Sequence, residues 1–415
     1  MRPVHEHDPY EGEYVMASSW KQFRSKPIVA AVGILAAMSI LAACAGDGAD
    51  EETSPDTSAD DTEDEDSSAD SDQEPPAEVD ADEVVTLSLA SLLTEPNPAT
   101  QVVLWWADRV TELTGGQVEF EPFYAGSLLP APEIMPGVAD GRADLGHTTV
   151  AFHPAEFPLG QVVSLPFTAY DGEAQLRAFN ELYREYEPFQ AEFDAQGLKV
   201  LFFGSIDRAL FGATEPIDSV ADLEGVSIRA IGNISDTLAA AGANPVAVAP
   251  AEIYESVQRG LLDAWGAYPI EGAAELGLHE VGPIIRDPGF GLYSNMMVIV
   301  SQSTWDSWPA EVRDAMIQAA DELEDEYSRI YAIGTRAACE EVIGSGAEVV
   351  AWDPSEVEAF RALIGDSITE DWIARSEDAG APAREFLERY LELLEQFEAD
   401  SSWVDGVTAC IDEAS

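Results

Sequence analysis

The sequence has very few basic residues. Its 415 residues include 20 Lys and Arg against 79 Asp and Glu, and the formal net charge is -59. Nucleic-acid phosphates and anionic lipid head groups repel such a chain, so nucleic-acid binding and attachment through a basic surface are disfavoured. Cysteine is also scarce, at three residues, which excludes a disulfide-rich scaffold.

The sequence also lacks the short motifs of common hydrolases. It has no G-x-S-x-G, H-E-x-x-H or G-x-x-x-x-G-K segment. His147 and His153 have no Cys or second acidic residue at metal-ligand spacing, so we expect no metal site and no cofactor. A pair of carboxylates is not diagnostic of a glycosidase in a chain this acidic. We therefore expect no enzymatic activity, and an exported hydrolase is the less favoured alternative.

The remaining composition is that of a folded protein with an acidic surface. Hydrophobic residues make up 46% of the chain, which is enough to form a core, and the length allows two domains besides the tails. After residue 83 the chain still carries 57 acidic and 16 basic residues, and Lys199 is the only Lys among them. This depletion indicates either adaptation to high salt or an ordinary acidic exported protein from a GC-rich genome.

The N-terminal region has the pattern of an export signal. An apolar run at residues 28–43 follows several basic residues and ends at Cys44. Such a run is shorter than the roughly 20 residues of a membrane span and is typical of a signal peptide. Leu41-Ala42-Ala43-Cys44 resembles the bacterial lipoprotein box, in which the signal is cut before an acylated Cys. We predict a lipoprotein signal at residues 1–44, starting at Met1 or Met16; a signal anchor is the alternative.

Residues 45–83 consist mainly of Asp, Glu, Ser, Thr, Ala and Pro. Such a segment buries too little apolar surface to offset the entropy of ordering, and its like charges extend it. We predict a disordered acidic tether that joins the body to a lipid anchor on the outer face of the cytoplasmic membrane.

Two cysteines remain when Cys44 is acylated. In an exported protein Cys339 and Cys410 have one possible pairing, which would tie the C-terminal tail to a helical segment. Two buried free thiols are the alternative.

Strand-like and helix-like segments alternate from residue 84 onward, which favours parallel sheets covered by helices. The first set comprises strands at 84–90, 117–123, 144–150 and 199–203 and helices at 101–113, 133–139 and 173–193. The alternation restarts at 225–230, 236–242, 245–248, 251–259 and 264–267, followed by a strand at 293–301 and a helix at 309–334. We predict lobe I at 84–205 with 292–335 returning to it, lobe II at 206–291, and C-terminal strand and helical segments at 336–415 that pack across both lobes. A ligand cleft is expected between the lobes.

Several motifs occur in a characteristic order. They are Leu113-Thr114-Gly115-Gly116 with Tyr124-Ala125-Gly126-Ser127-Leu128, Gly141-Arg142-Ala143-Asp144-Leu145-Gly146, Leu165-Pro166-Phe167, Asp222-Leu223-Glu224-Gly225-Val226-Ser227-Ile228-Arg229, Gly242-Ala243-Asn244-Pro245-Val246, Gln258-Arg259-Gly260-Leu261-Leu262-Asp263 and Ser301-Gln302-Ser303-Thr304-Trp305. In this order they resemble the DctP-like substrate-binding proteins of tripartite ATP-independent periplasmic (TRAP) transporters, over roughly residues 84–398. The resemblance implies an α/β, two-lobed periplasmic-binding-protein-like fold with a long C-terminal helical region. It also implies a small organic-acid ligand and delivery to TRAP membrane permease subunits.

The resemblance makes Arg229 the arginine that grips the ligand, and a guanidinium offers paired donors to a carboxylate. A structural ion pair is the alternative for this residue. Arg208 lies close to where some family members carry a second ligand-contacting Arg. Thr148 and Thr149 follow a strand of the first lobe and could present hydroxyl groups to the ligand.

The chain departs from the family after Asp263. Many relatives have a ligand-contacting Asn where this chain has Trp265 to Tyr268. Trp265 and Tyr268 could form walls of the pocket or pack in the core. A solute-binding lipoprotein of an ABC transporter, which shares the lobed fold, is the second binding-protein interpretation.

Overall fold

The structure, a computed structural model, describes residues 84–414. The predicted signal peptide, the acylation site at Cys44 and the tether lie outside the described residues. Within the described part, the strands form two separate sheets of five and six strands. This mixed α/β architecture confirms the predicted two-lobed fold class.

The first sheet has the strand order β2-β1-β3-β10-β4. Its strands are β1 (Val85–Ser91), β2 (Val118–Phe123), β3 (Leu145–Thr148), β4 (Leu198–Ser205) and β10 (Asn295–Ser301). β1 is parallel to β2 and β3, whereas β10 is antiparallel to β3 and β4. The sequence favoured parallel sheets, whereas this sheet is mixed. An antiparallel neighbour needs no crossover helix, so the chain can enter β10 directly on its return from the second sheet.

The second sheet has the order β11-β9-β5-β8-β6-β7. Its strands are β5 (Leu210–Ala213), β6 (Ser227–Arg229), β7 (Asn244–Val246), β8 (Ala264–Tyr268), β9 (Ile284–Asp287) and β11 (Glu348–Ala351). β5 is antiparallel to both β8 and β9, so this sheet is also mixed. Strands β5, β9 and β11, which are four residues long each, were not assigned from the sequence.

Helices cover the sheets and continue to the C-terminus. They are α1 (Pro98–Leu113), α2 (Ile134–Ala139), α3 (Gly172–Glu185), α4 (Glu187–Asp194), α5 (Gly232–Ala240), α6 (Pro250–Gln258), α7 (Ile270–Glu275), α8 (Leu278–Val281), α9 (Gln302–Ser307), α10 (Ala310–Gly344), α11 (Pro354–Ile364), α12 (Ser367–Asp378), α13 (Ala383–Glu398) and α14 (Gly406–Ala414). The predicted helix at 173–193 is interrupted at Tyr186, because Pro188 cannot continue the hydrogen bonding of α3. Within residues 84–414, no helix combines the length and apolar character that crossing a membrane requires.

The long helix α10 has 35 residues and extends ten residues beyond the predicted end at Gly334. Gly334 lies inside the helix at a close contact with α1. A Cβ at this position would stand 2.6 Å from Cγ of Pro98, so a larger residue would collide with α1. α10 packs against α1 and α3 beside the first sheet, and against α7 and α14 beside the second. One rigid helix therefore contacts elements on both sides of the molecule.

The C-terminal segment returns to α10 and is covalently fixed there. A disulfide joins Cys339 of α10 to Cys410 of α14, and both side chains are fully buried.

Candidate functional site

Two crossover segments connect the sheets and lie side by side. Residues 206–209 lead from β4 to β5, and residues 288–294 lead from β9 to β10. An antiparallel bridge between Arg208 and Leu292 pairs the two segments. The carboxyl ends of β4 and β9 therefore meet at this junction, which is where ligands of open α/β sheets usually bind.

Arg229 is the last residue of β6 and is almost completely buried, with 4% of its surface exposed. Its guanidinium makes only long contacts of 3.4 Å, to the carbonyl oxygens of Val248, Gly266 and Ala267. Within the described part of the chain, no carboxylate lies within 4 Å of it to form a salt bridge. A buried cation without a counter-charge is costly, and an anion bound here would offset that cost.

A β-bulge places Tyr268 over Arg229. In the pairing of β5 with β8, Leu210 lies opposite Tyr268 and Phe211 opposite Gly266, so Ala267 is left over. Ala267 has a φ of 56°, a left-handed conformation that costs energy in a residue other than glycine. The ring centroid of Tyr268 lies 4.6 Å from the Arg229 guanidinium carbon, a cation–π contact that holds the arginine in place.

Two tyrosine hydroxyls are available beside Arg229. Tyr293 interacts electrostatically with both Arg229 and Tyr268, which places it at the same site. Within residues 84–414 neither phenol has a hydrogen-bond partner. Burial raises the pKa of both phenols, so they stay protonated and can donate hydrogen bonds to a ligand.

The first sheet contributes polar groups at its facing edge. Thr148 ends β3 and Asn295 begins β10, and both are fully buried. Among residues 84–414, the Thr148 hydroxyl and both amide atoms of Asn295 have no hydrogen-bond partner. The neighbouring Thr149 hydroxyl lies 3.1 Å from that of Ser294. Buried polar atoms normally have hydrogen-bond partners, so this edge is a candidate for contact with a ligand.

A surface cavity of about 260 Å³ lies elsewhere, against α3, β4 and α10. Arg184, one of its lining residues, is paired with Glu324 at 2.7 Å and with Asp321 at 3.5 Å. Arg229 does not line it. The uncompensated charge of Arg229 therefore makes its surroundings the stronger candidate site.

Comparison with known proteins identifies the family. Residues 89–373 match the model of the bacterial extracellular solute-binding proteins, family 7. This match covers more than half of the chain. The chain belongs to that family.

Family 7 relatives and solved structures cover most of the described part. The monocarboxylate 2-oxoacid-binding periplasmic protein all3028 of Nostoc sp. is 27% identical over 296 residues, which is 65% of this chain and 78% of the relative. The 2,3-diketo-L-gulonate-binding protein YiaO of Escherichia coli is 22% identical, with 64% and 80% covered. A TRAP solute-binding protein from Rhodoferax ferrireducens, crystallised with benzoate, superposes with a TM-score of 0.70 at 21% identity, covering 76% of this chain and 99% of that one.

Within this family 7 fold, the residues singled out by sequence occupy different environments. Arg229 and Tyr268 lie together at the second sheet, and Thr148 and Thr149 lie at the edge of the first sheet. Arg208 instead pairs with Asp287 at 3.1 Å and with Asp405 at 3.2 Å.

Trp265 is fully buried in the core of the second sheet, where its indole N–H donates to the carbonyl of Gly282. Its environment matches the packing alternative. His147 is also buried, with Nδ1 3.0 Å from the hydroxyl of Ser91, and burial lowers its pKa to about 3. No group of three or more His, Cys, Asp or Glu side chains in residues 84–414 is arranged to hold a metal ion.

Tyr293 and Asn295 were not singled out as candidates from the sequence. Both precede the apolar body of a strand that the sequence did predict. Polar residues at the beginning of an otherwise apolar strand could have indicated them, because the beginning of a strand lies at a sheet edge where a cleft can form.

Two buried acidic residues, Asp207 and Glu271, interact electrostatically with Tyr293. Asp207 accepts hydrogen bonds from the backbone N–H groups of Arg208 and Gly406, and one oxygen of Glu271 accepts from Thr335. In the described part of the chain, the other oxygen of Glu271 has no hydrogen-bond partner. Burial, with repulsion from Asp405, raises the pKa of Glu271 to about 7.

Glu271→Gln is expected to stabilise the protein by about 3 kcal/mol at pH 8, but by under about 1 kcal/mol at pH 5. The folded pKa lies above the ordinary value of 4.5, so the folded protein keeps a proton that the unfolded chain releases. Wild-type stability therefore falls as pH rises through this window, whereas Gln does not titrate. Urea unfolding at both pH values measures the difference. The exposed control Glu358→Gln should show no such trend, and equal effects of Glu271→Gln at both pH values would contradict the prediction.

Proposed function

We propose that this protein is the extracytoplasmic receptor of a TRAP transporter, which closes on a small organic carboxylate and delivers it to the membrane permease subunits. The observation that carries the proposal is the burial of Arg229 without a carboxylate partner. In the closed cleft the guanidinium would bind the ligand carboxylate, with the hydroxyls of Tyr268 and Tyr293 as further donors. Thr148 and Thr149 would contact the ligand from lobe I. Ligand binding favours closure of the cleft because only the closed state lets both lobes contact the ligand.

The relatives support a carboxylate ligand. One is named for binding 2-oxoacids, and solved structures of similar fold contain benzoate or mandelate. The family match favours a TRAP system over an ABC transporter, and all of these relatives are binding proteins, in line with our expectation of no enzymatic activity.

We also propose lobe boundaries and a membrane anchor. Lobe I would comprise residues 84–205 with 292–335, and lobe II residues 206–291, with 336–415 packing across both. The strand membership of the two sheets supports this division. The lipoprotein-like sequence supports acylation at Cys44 and attachment to the outer face of the cytoplasmic membrane. Labelling with a radioactive fatty acid tests it, because Cys44→Ala should abolish the label.

A thermal-shift screen of the full chain tests carboxylate binding, since a ligand that binds only the folded state raises the melting temperature. Each acid is screened beside its primary amide, which keeps the shape and removes the charge. We expect at least one acid to raise the melting temperature while its amide does not. Equal shifts by acids and amides, or shifts only by neutral polyols, would overturn the proposal.

A further inference from the structure

A second arginine lies beside the proposed site but is already neutralised. Arg208 is two residues before Leu210, which pairs with Tyr268, and its backbone bridges to Leu292, next to Tyr293. Its side chain is 23% exposed. By position alone, it could supply a second positive charge to a ligand.

Two carboxylates from distant parts of the chain form ion pairs with the Arg208 guanidinium. One terminal nitrogen lies 3.1 Å from Asp287 at the end of β9, and the other lies 3.2 Å from Asp405 just before α14. The ring of Tyr170 lies 5.5 Å from the guanidinium carbon. Both terminal nitrogens are therefore engaged, and two negative charges surround one positive charge.

The two acids are themselves fixed. Asp287 also accepts from the backbone N–H of Gly289 at 2.8 Å. Asp405 accepts from the backbone N–H and the hydroxyl of Thr408, at 2.9 Å and 2.7 Å. Because these bonds hold the carboxylates in place, turning Arg208 toward a ligand would break two ion pairs and leave both acids unpaired in a mostly buried position.

The charge around the site is therefore asymmetric. Arg229 has no carboxylate partner among residues 84–414, whereas Arg208 is flanked by the two carboxylates of Asp287 and Asp405. A ligand carboxylate bound at Arg229 meets a positive charge. A second carboxylate reaching toward Arg208 would meet net negative charge at low dielectric, where repulsion is strong.

We propose that Asp287 and Asp405 are specificity-determining residues that hold Arg208 away from the ligand and so restrict the site to monocarboxylates. This inference rests on the proposed function and adds the exclusion of dicarboxylates. Neither acid contacts the ligand. They act by cancelling a charge that would otherwise recognise a second carboxylate.

Calorimetry on the full chain with matched acids tests the inference. The pairs are benzoate with isophthalate, 2-oxobutanoate with 2-oxoglutarate, and lactate with malate. We expect the monocarboxylate to bind at least about tenfold more tightly in each pair that binds, since a charge-assisted contact is replaced by repulsion. A dicarboxylate that binds as tightly as its partner overturns the inference but leaves the proposed function intact. Binding of none of the six acids overturns both.

The variants Asp287→Asn and Asp405→Asn test the mechanism. Each keeps the side-chain shape and removes one charge from Arg208, so we expect the preference for monocarboxylates to fall about tenfold or more. Asp371→Asn, on the exposed face of α12, makes the same change in net charge and should leave the preference unaltered. An unchanged preference in both folded variants contradicts the role of these acids. If neither variant folds, the wild-type comparison alone decides.

Discussion

Replacing Arg229 with alanine is expected to weaken binding of the best carboxylate at least about 100-fold. The guanidinium is buried and has no carboxylate partner within the described part of the chain, so its charge is available to the ligand. Arg208 cannot compensate, because it is already bound to Asp287 and Asp405. The ligand carboxylate would then lose its counter-charge in a site closed from water, where an unpaired ion is costly.

Calorimetry on folded variants measures this loss. Arg229→Lys should recover only part of the affinity, because an ammonium cannot reproduce the paired, planar donors of a guanidinium. Arg259→Ala is the matched control, since Arg259 is exposed and pairs with Glu255 on the same helix. Wild-type affinity in Arg229→Ala would show that another group binds the carboxylate. The variant should also be at least as stable as wild type without ligand, because a buried unpaired charge has been removed.

Removing the disulfide is expected to lower the free energy of unfolding by about 4 kcal/mol. Cys339 and Cys410 are 71 residues apart, so the bond restricts a long loop in the unfolded chain. It also fixes α14 on α10, and the residues just before α14 include Asp405. Loss of the bond should therefore also loosen the acid that holds Arg208.

Denaturant unfolding of Cys339→Ala/Cys410→Ala beside the wild type measures the effect. Wild-type protein unfolded with a reducing agent is the control, and its stability should approach that of the double variant. If the oxidised wild type and the double variant unfold at the same denaturant concentration, the bond does not stabilise the fold. Binding measured on both proteins then shows whether the C-terminal segment supports the site.

The sequence predicted elements whose signals lie within a short segment. The alternation at the start of the body and the helical spacing after it gave β1 and α1 within a few residues of their observed bounds. The end of α10 was misplaced because Gly334 looks like a helix stop. In the structure the glycine serves a close contact with Pro98, which lies far away in the sequence.

The sequence by itself determined the family, the α/β class, the acidic charge and the position of Arg229 at the end of a strand. These properties depend on local pattern and composition. Tertiary structure decided how the two candidate arginines differ, because burial and ion pairing depend on distant segments. The sequence alone does not show that Arg229 and Arg208 differ in burial and ion pairing. Only folding brings Asp287 and Asp405 to Arg208 and leaves Arg229 buried with no carboxylate partner among the residues that the structure describes.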